Sequence, residues 1–133
     1  MELKLNLEDI KKHFKEYAEN FNMNDINIKL RYFHSLWVME IARLIAKYEK
    51  FNQEDSELAY IIGILHDYSR FTQWTNYKTF NDLASFDHGD HGVELLFDNN
   101  EIEKFNIDKK YYEFMNNFIN DKINSPENTY EKN

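Results

Sequence analysis

The stretch from Leu58 to Leu65 carries no charge and runs directly into His66-Asp67. A helix that is apolar nearly all round belongs at the centre of a helical assembly. The imidazole and carboxylate at its inner end are costly to hide, because a buried polar group needs a partner and a buried charge needs a counter-charge or a metal. Two further histidines, His34 and His88, stand 32 positions before and 22 positions after His66. Each interval is one helix plus a loop, a spacing that lets antiparallel neighbours place side chains at one level of a bundle core. A divalent cation is the simplest common explanation of these four residues. Adjacent His66 and Asp67 cannot share a helix face. At a helix end, however, the second can bend away and reach the same ion, or bridge to another.

The rest of the chain favours helices. One proline and three glycines supply too little turn chemistry for a β-sandwich or barrel. Hydrophobic residues make up 42% and aromatics 17%, so the core must be built largely from Phe, Tyr and Trp. A length of 133 residues suits one domain spanning 1–133. Without cysteine there is neither a disulfide frame nor a thiolate zinc site. Nitrogen and oxygen ligands remain, suiting Mn, Fe, Ni, Co, Zn or Mg. The formal net charge of −8 argues against binding a nucleic-acid backbone. It leaves a small phosphate substrate open, because a bound metal reverses the local sign. No stretch approaches a membrane-spanning length, and Met1 to Leu5 do not read as a secretory leader, so a cytoplasmic location is expected.

Periodicity divides the chain into segments. Asn6 predicts a cap, with Ile10, Phe14, Tyr17 and Phe21 recurring behind it at helical spacing. Asn22 to Asp25 predict a break, and a long helix follows from about Asn27 to Tyr48. Its expected inward stripe is Leu30, Phe33, Trp37, Ile41, Leu44 and Tyr48, with His34 beside it. Asn52 to Asp55 start the central helix. Residues 68–84 predict short helical turns over one mouth of the bundle, and Asp87 predicts the cap of a further helix that Asn99-Asn100 stop. A last helix is expected from about Asp108 to Ile123, presenting Tyr111, Phe114, Met115, Phe118 and Ile119, with 124–133 as a frayed tail.

Three ordered motifs resemble the HD-domain metal-dependent phosphohydrolases, and in particular bacterial members. Arg31 to Val38 look like the first, histidine-bearing motif. Gly63 to Phe71, around His66-Asp67, look like the second and most specific. Ser85 to Gly92 resemble a third, found in a bacterial subgroup in which that histidine serves a second metal. The resemblance implies an all-α, HD-domain-like bundle of about five to seven helices. It implies that His34, His66 and Asp67 hold the first of one or two divalent ions and that His88 serves the second. Arg31 and Arg70 fall where the family keeps basic residues near phosphate, and a metal-bound water would attack phosphorus. The family's last Asp has no clear counterpart in what reads as a shortened C-terminus; Asp121 is the nearest candidate. The implied activity is hydrolysis of a small phosphate ester. The alternative is a catalytically incomplete module on the same fold that binds a nucleotide or a partner.

Plainer readings stand beside these. His91, one turn from His88, reads as a surface or supporting residue. His13, flanked by Lys11, Lys12 and Lys15, reads as part of a solvated face, and Asp121 as a helix-surface acid. Trp74, Tyr77 and Phe80 could line a nucleoside pocket, but aromatics at such spacing more often belong to a core. The aromatic content also leaves room for a homodimer interface.

Overall fold

A computed structural model describes residues 6–120; the readings placed on Asp121 and on 124–133 fall outside them. Helix α1, Leu7–Ala18, starts where the Asn6 side chain accepts the Asp9 N–H, and it buries Ile10, Phe14 and Ala18. Helix α2, Ile26–Tyr48, is capped by Asp25, and α3, Gln53–Leu65, by Asn52. After the turn carrying His66 and Asp67 comes α4, Arg70–Tyr77, closed by Lys78 in the left-handed region at φ 56°. A 3-10 turn at Asp82–Ala84 leads to α5, His88–Val93, capped by Asp87 and widening into a π turn at Glu94–Asp98. Two more 3-10 turns, Glu101–Phe105 and Lys109–Tyr111, precede α6, Tyr112–Asn120. The architecture is all-α, and the described residues contain no strand.

The core is aromatic, as the composition required. Phe14, Tyr68 and Phe71 are buried to within 1% of fully, and Tyr17 stacks on Tyr68 with ring centroids 3.9 Å apart. Two antiparallel helices, α2 and α3, form its backbone. Gly63 makes their approach possible: a Cβ there would lie 2.8 Å from Met39 Cα.

That close approach overturns one expectation. The large apolar stripe of α2 faces out, with Leu30, Phe33, Trp37, Leu44 and Tyr48 more than half exposed and Ile41 37% exposed. The buried face is Ile28, Ser35, Met39 and Ala46 instead. A helix pressed against its neighbour at a glycine has room for small or flexible side chains, not for Trp and Phe. Helix α6 differs similarly. Tyr111, Met115 and Ile119 turn inward at four-residue spacing, whereas Phe114 and Phe118 remain exposed. His13 is not simply solvated: its ring sits edge-on to Phe105 at 6.3 Å, and Nδ1 is 3.1 Å from Glu16 Oε1.

One buried polar contact ties the C-terminal turns to α3. The Tyr111 hydroxyl donates to Glu57 Oε1 at 2.9 Å, and Gln53 Nε2 donates to the other oxygen at 3.2 Å. Burial, reinforced by the Glu57 charge, pushes the Tyr111 phenol above its usual value. Tyr111→Phe should therefore cost about 1–2 kcal/mol in urea unfolding, because the buried carboxylate loses a donor.

Candidate metal centre

The site forms where the end of α3 meets the middle of α2. His66 is the C-cap of α3, and its Nδ1 is 2.9 Å from the Gly63 carbonyl. A carbonyl only accepts, so Nδ1 carries the hydrogen. In the neutral ring, Nε2 then presents a lone pair. That nitrogen lies 3.3 Å from Asp67 Oδ2. A nitrogen lone pair and a carboxylate oxygen this close are best reconciled by a shared cation, either a proton or a metal ion.

His34 completes the set from α2, with Nε2 3.5 Å from the same Oδ2. One ligand atom from each of His34, His66 and Asp67 lies within 4.8 Å of the others. Asp67 is 6% exposed, and the same oxygen accepts from Arg31 Nη1 at 3.2 Å. Burial opposes charge on Asp67. The His66 hydrogen bond, with the positive charges of His66, Arg70 and Arg31, outweighs it and holds the carboxyl well below the usual carboxylate range. Burial likewise works against protonation of His66, but its bond and attraction to Asp67 win and raise the ring. His34 is lowered, burial being only partly offset by Asp67.

The second oxygen of Asp67 faces the other way. Oδ1 is 3.8 Å from Arg70 Nε and 3.9 Å from His88 Nε2. His88 thus stands across the carboxylate from the His34–His66 pair and outside the close cluster. Its ring is held by Asp82, whose Oδ2 lies 2.7 Å from Nδ1. A carboxylate behind an imidazole fixes the tautomer and leaves the Nε2 lone pair on the far side, the arrangement common behind metal-bound histidines, and here Arg70 Nη2 stands 3.4 Å from that atom. Arg70 Nη1 donates to Gln73 Oε1, the Phe80 carbonyl and Asp82 Oδ1 at 2.7, 2.9 and 3.1 Å. Its Nε is buried with no hydrogen-bond partner.

Asp82 and Gln73 were not singled out from the sequence, yet they organise this side of the site. Gln73 is fully buried and donates to Asp82 Oδ1 and Ser85 Oγ, each at 2.9 Å. The only available signal was an acid in a short turn just before a histidine motif. The aromatic trio does not make one pocket. Trp74 stacks on Phe80 at 5.2 Å, the Arg31 guanidinium lies 4.4 Å from the centre of the Phe80 ring, and Tyr77 packs edge-on against Phe86. Phe80 serves to fix Arg31 beside Asp67. His91 stands apart from the cluster, its Nδ1 2.9 Å from Glu94 Oε1 and its ring against Phe86.

No helix among the described residues is long and apolar enough to cross a membrane. The sequence model described as the HD domain matches residues 31–130, the interval holding Arg31, His34, His66, Asp67, Arg70 and His88. No curated protein and no solved structure matches the chain.

Proposed function

The chain belongs to the HD-domain family, and from that premise we propose that it hydrolyses a small phosphate ester, a nucleotide or related metabolite, with a divalent cation at His34, His66 and Asp67. The observation that carries the reading is the convergence of two Nε2 atoms on one buried carboxylate oxygen. These donors fit a borderline divalent ion such as Mn, Fe, Ni, Co or Zn, and admit Mg less readily. A bound ion of this kind supplies an acidic water for attack and charge stabilisation at the phosphoryl oxygens.

The chain's own residues divide the remaining work. Gly63 and Asp82 orient the rings of His66 and His88 through their Nδ1 atoms. Asp67 presents one oxygen to each side, so it can serve a second ion shared with His88. Arg31 and Arg70 bring positive charge to the phosphate, and the Nε of Arg70, which makes no hydrogen bond, faces Asp67 Oδ1 at 3.8 Å. The family match runs past Asp121, the candidate for the family's last ligand.

The test is a phosphatase assay on protein purified without chelator and supplied with Mn, Ni or Co. Nucleoside monophosphates and p-nitrophenyl phosphate would be the substrates. Turnover should require the ion and vanish with EDTA. His66→Ala should lose at least about a hundredfold in metal affinity, and Asp121→Ala measured beside it reads that residue's share. Metal uptake without turnover on any substrate would favour the binding module over the enzyme. Activity indifferent to EDTA and to His66→Ala would reject the reading.

A further inference from the structure

The longest helix carries its largest apolar side chains on the outside. On α2, Phe33, Trp37 and Tyr48 are 55%, 65% and 84% exposed, and Leu30, Leu44 and Ile45 are each more than half exposed. They recur every three or four residues, so they form one straight stripe, about 27 Å long at ~1.5 Å per residue. Soluble monomers rarely leave a contiguous apolar patch of this extent in water. We propose that this stripe is a homodimer interface in which α2 packs antiparallel against α2 of a second copy.

The stripe reads alike in both directions about Met39. Leu30 and Tyr48 stand nine positions either side, Phe33 and Ile45 six, Trp37 and Ile41 two. A two-fold interface sets residue i against j and j against i. An antiparallel pair centred on Met39 therefore sets Leu30, Phe33 and Trp37 against Tyr48, Ile45 and Ile41, with Leu44 falling opposite His34, a match that an unrelated partner has no reason to make. Seven large side chains, six of them more than half exposed, supply apolar surface on the scale of the ~800 Å² per partner of a standard stable interface. Residues 121–133 are a poor alternative cover, since they hold only Ile123 and Tyr130 as large apolar side chains, and the five residues 1–5 are too few to cover a stripe of about 27 Å. A net charge of −8 disfavours an anionic membrane surface.

The pairing reaches the metal centre. His34 lies at the edge of the stripe and shares a surface groove with Leu30, Phe33 and Trp37. In the antiparallel pair, Leu44 of the second copy stands opposite His34 and walls that side of the site.

Light scattering on the eluting protein at micromolar concentration should give twice the 16.2 kDa chain mass. Trp37→Glu should give the single mass with an unchanged far-UV spectrum. The absence of native cysteine allows a geometric check. Trp37→Cys lies near the axis, about 6 Å along it from its own copy, and should cross-link with a short bismaleimide. Leu30→Cys alone, about 27 Å from its copy, should not, whereas Leu30→Cys combined with Tyr48→Cys should. A monomeric unaltered protein, a dimer that survives Trp37→Glu, or cross-linking by Leu30→Cys alone would each overturn the proposal.

Discussion

Asp67→Asn should lower kcat/KM by at least about a thousandfold, roughly 4 kcal/mol of transition-state stabilisation, and abolish cation binding at micromolar ion. The amide keeps the shape of the side chain, so packing under it is preserved. What disappears is the one negative charge on which Arg31, His34 and His66 converge through Oδ2 and which Arg70 and His88 approach through Oδ1. An amide oxygen is a weaker ligand than a carboxylate, and it leaves Arg31 and any bound ion without that countercharge. The loss of stability should be far smaller, about 1–2 kcal/mol, because Arg70 keeps Asp82 and Arg31 keeps Phe80 and water. Metal titration, steady-state kinetics and urea unfolding on the same preparation separate the two effects. A variant that bound metal and turned over normally would remove Asp67 from the site.

Gly63→Ala should act from the scaffold. The added Cβ would meet Met39 Cα at 2.8 Å, Met39 N at 3.1 Å and the Val38 carbonyl at 3.2 Å. All three are backbone, so no flexible side chain can yield and α2 must move away from α3. Overpacking of this kind costs about 1–3 kcal/mol, against which alanine's helix propensity returns up to about 1. The net fall should be about 2 kcal/mol. The functional loss should exceed what that stability change explains. The displaced contact, between Met39 and Gly63, lies about one helical turn from His34 on α2 and from His66 at the end of α3, and a shift of about 1 Å between reacting groups can cost a hundredfold in rate. Gly92→Ala is the control. Its Cβ would meet the Ile119 side chain at 3.4 Å, an ordinary contact, and the variant should melt and bind metal nearly as the unaltered protein does. Equal behaviour of the two alanine variants would refute the scaffold role given to Gly63.

The grouping of His34, His66 and Asp67 was legible in the sequence, and its surroundings were less so. The cost of burial gave the signal for Asp67, whereas the His34 side chain is 44% exposed and only its spacing and motif pointed to it. The caps Asn6 and Asp87 followed from side-chain chemistry that acts within three residues. The orientation of α2 could not be read, because apolar size alone does not mark a buried face. Its inner face is made of Ile28, Ser35, Met39 and Ala46 since α3 comes too close at Gly63 for anything larger. The 3-10 turn at Glu101–Phe105, which buries Ile102 and Phe105, is too short to show a period. Asp82 was invisible for another reason. An acid in a turn acquires its role only when folding sets it behind His88, six positions on.

Anomalous diffraction from crystals of the protein soaked in Mn²⁺ tests the central claim most directly. The expected map has its strongest peak within coordination distance of His34 Nε2, His66 Nε2 and Asp67 Oδ2 together, and that peak is absent in His66→Ala. A map with no peak among these three atoms, at an ion concentration that saturates other surface sites, would contradict the account.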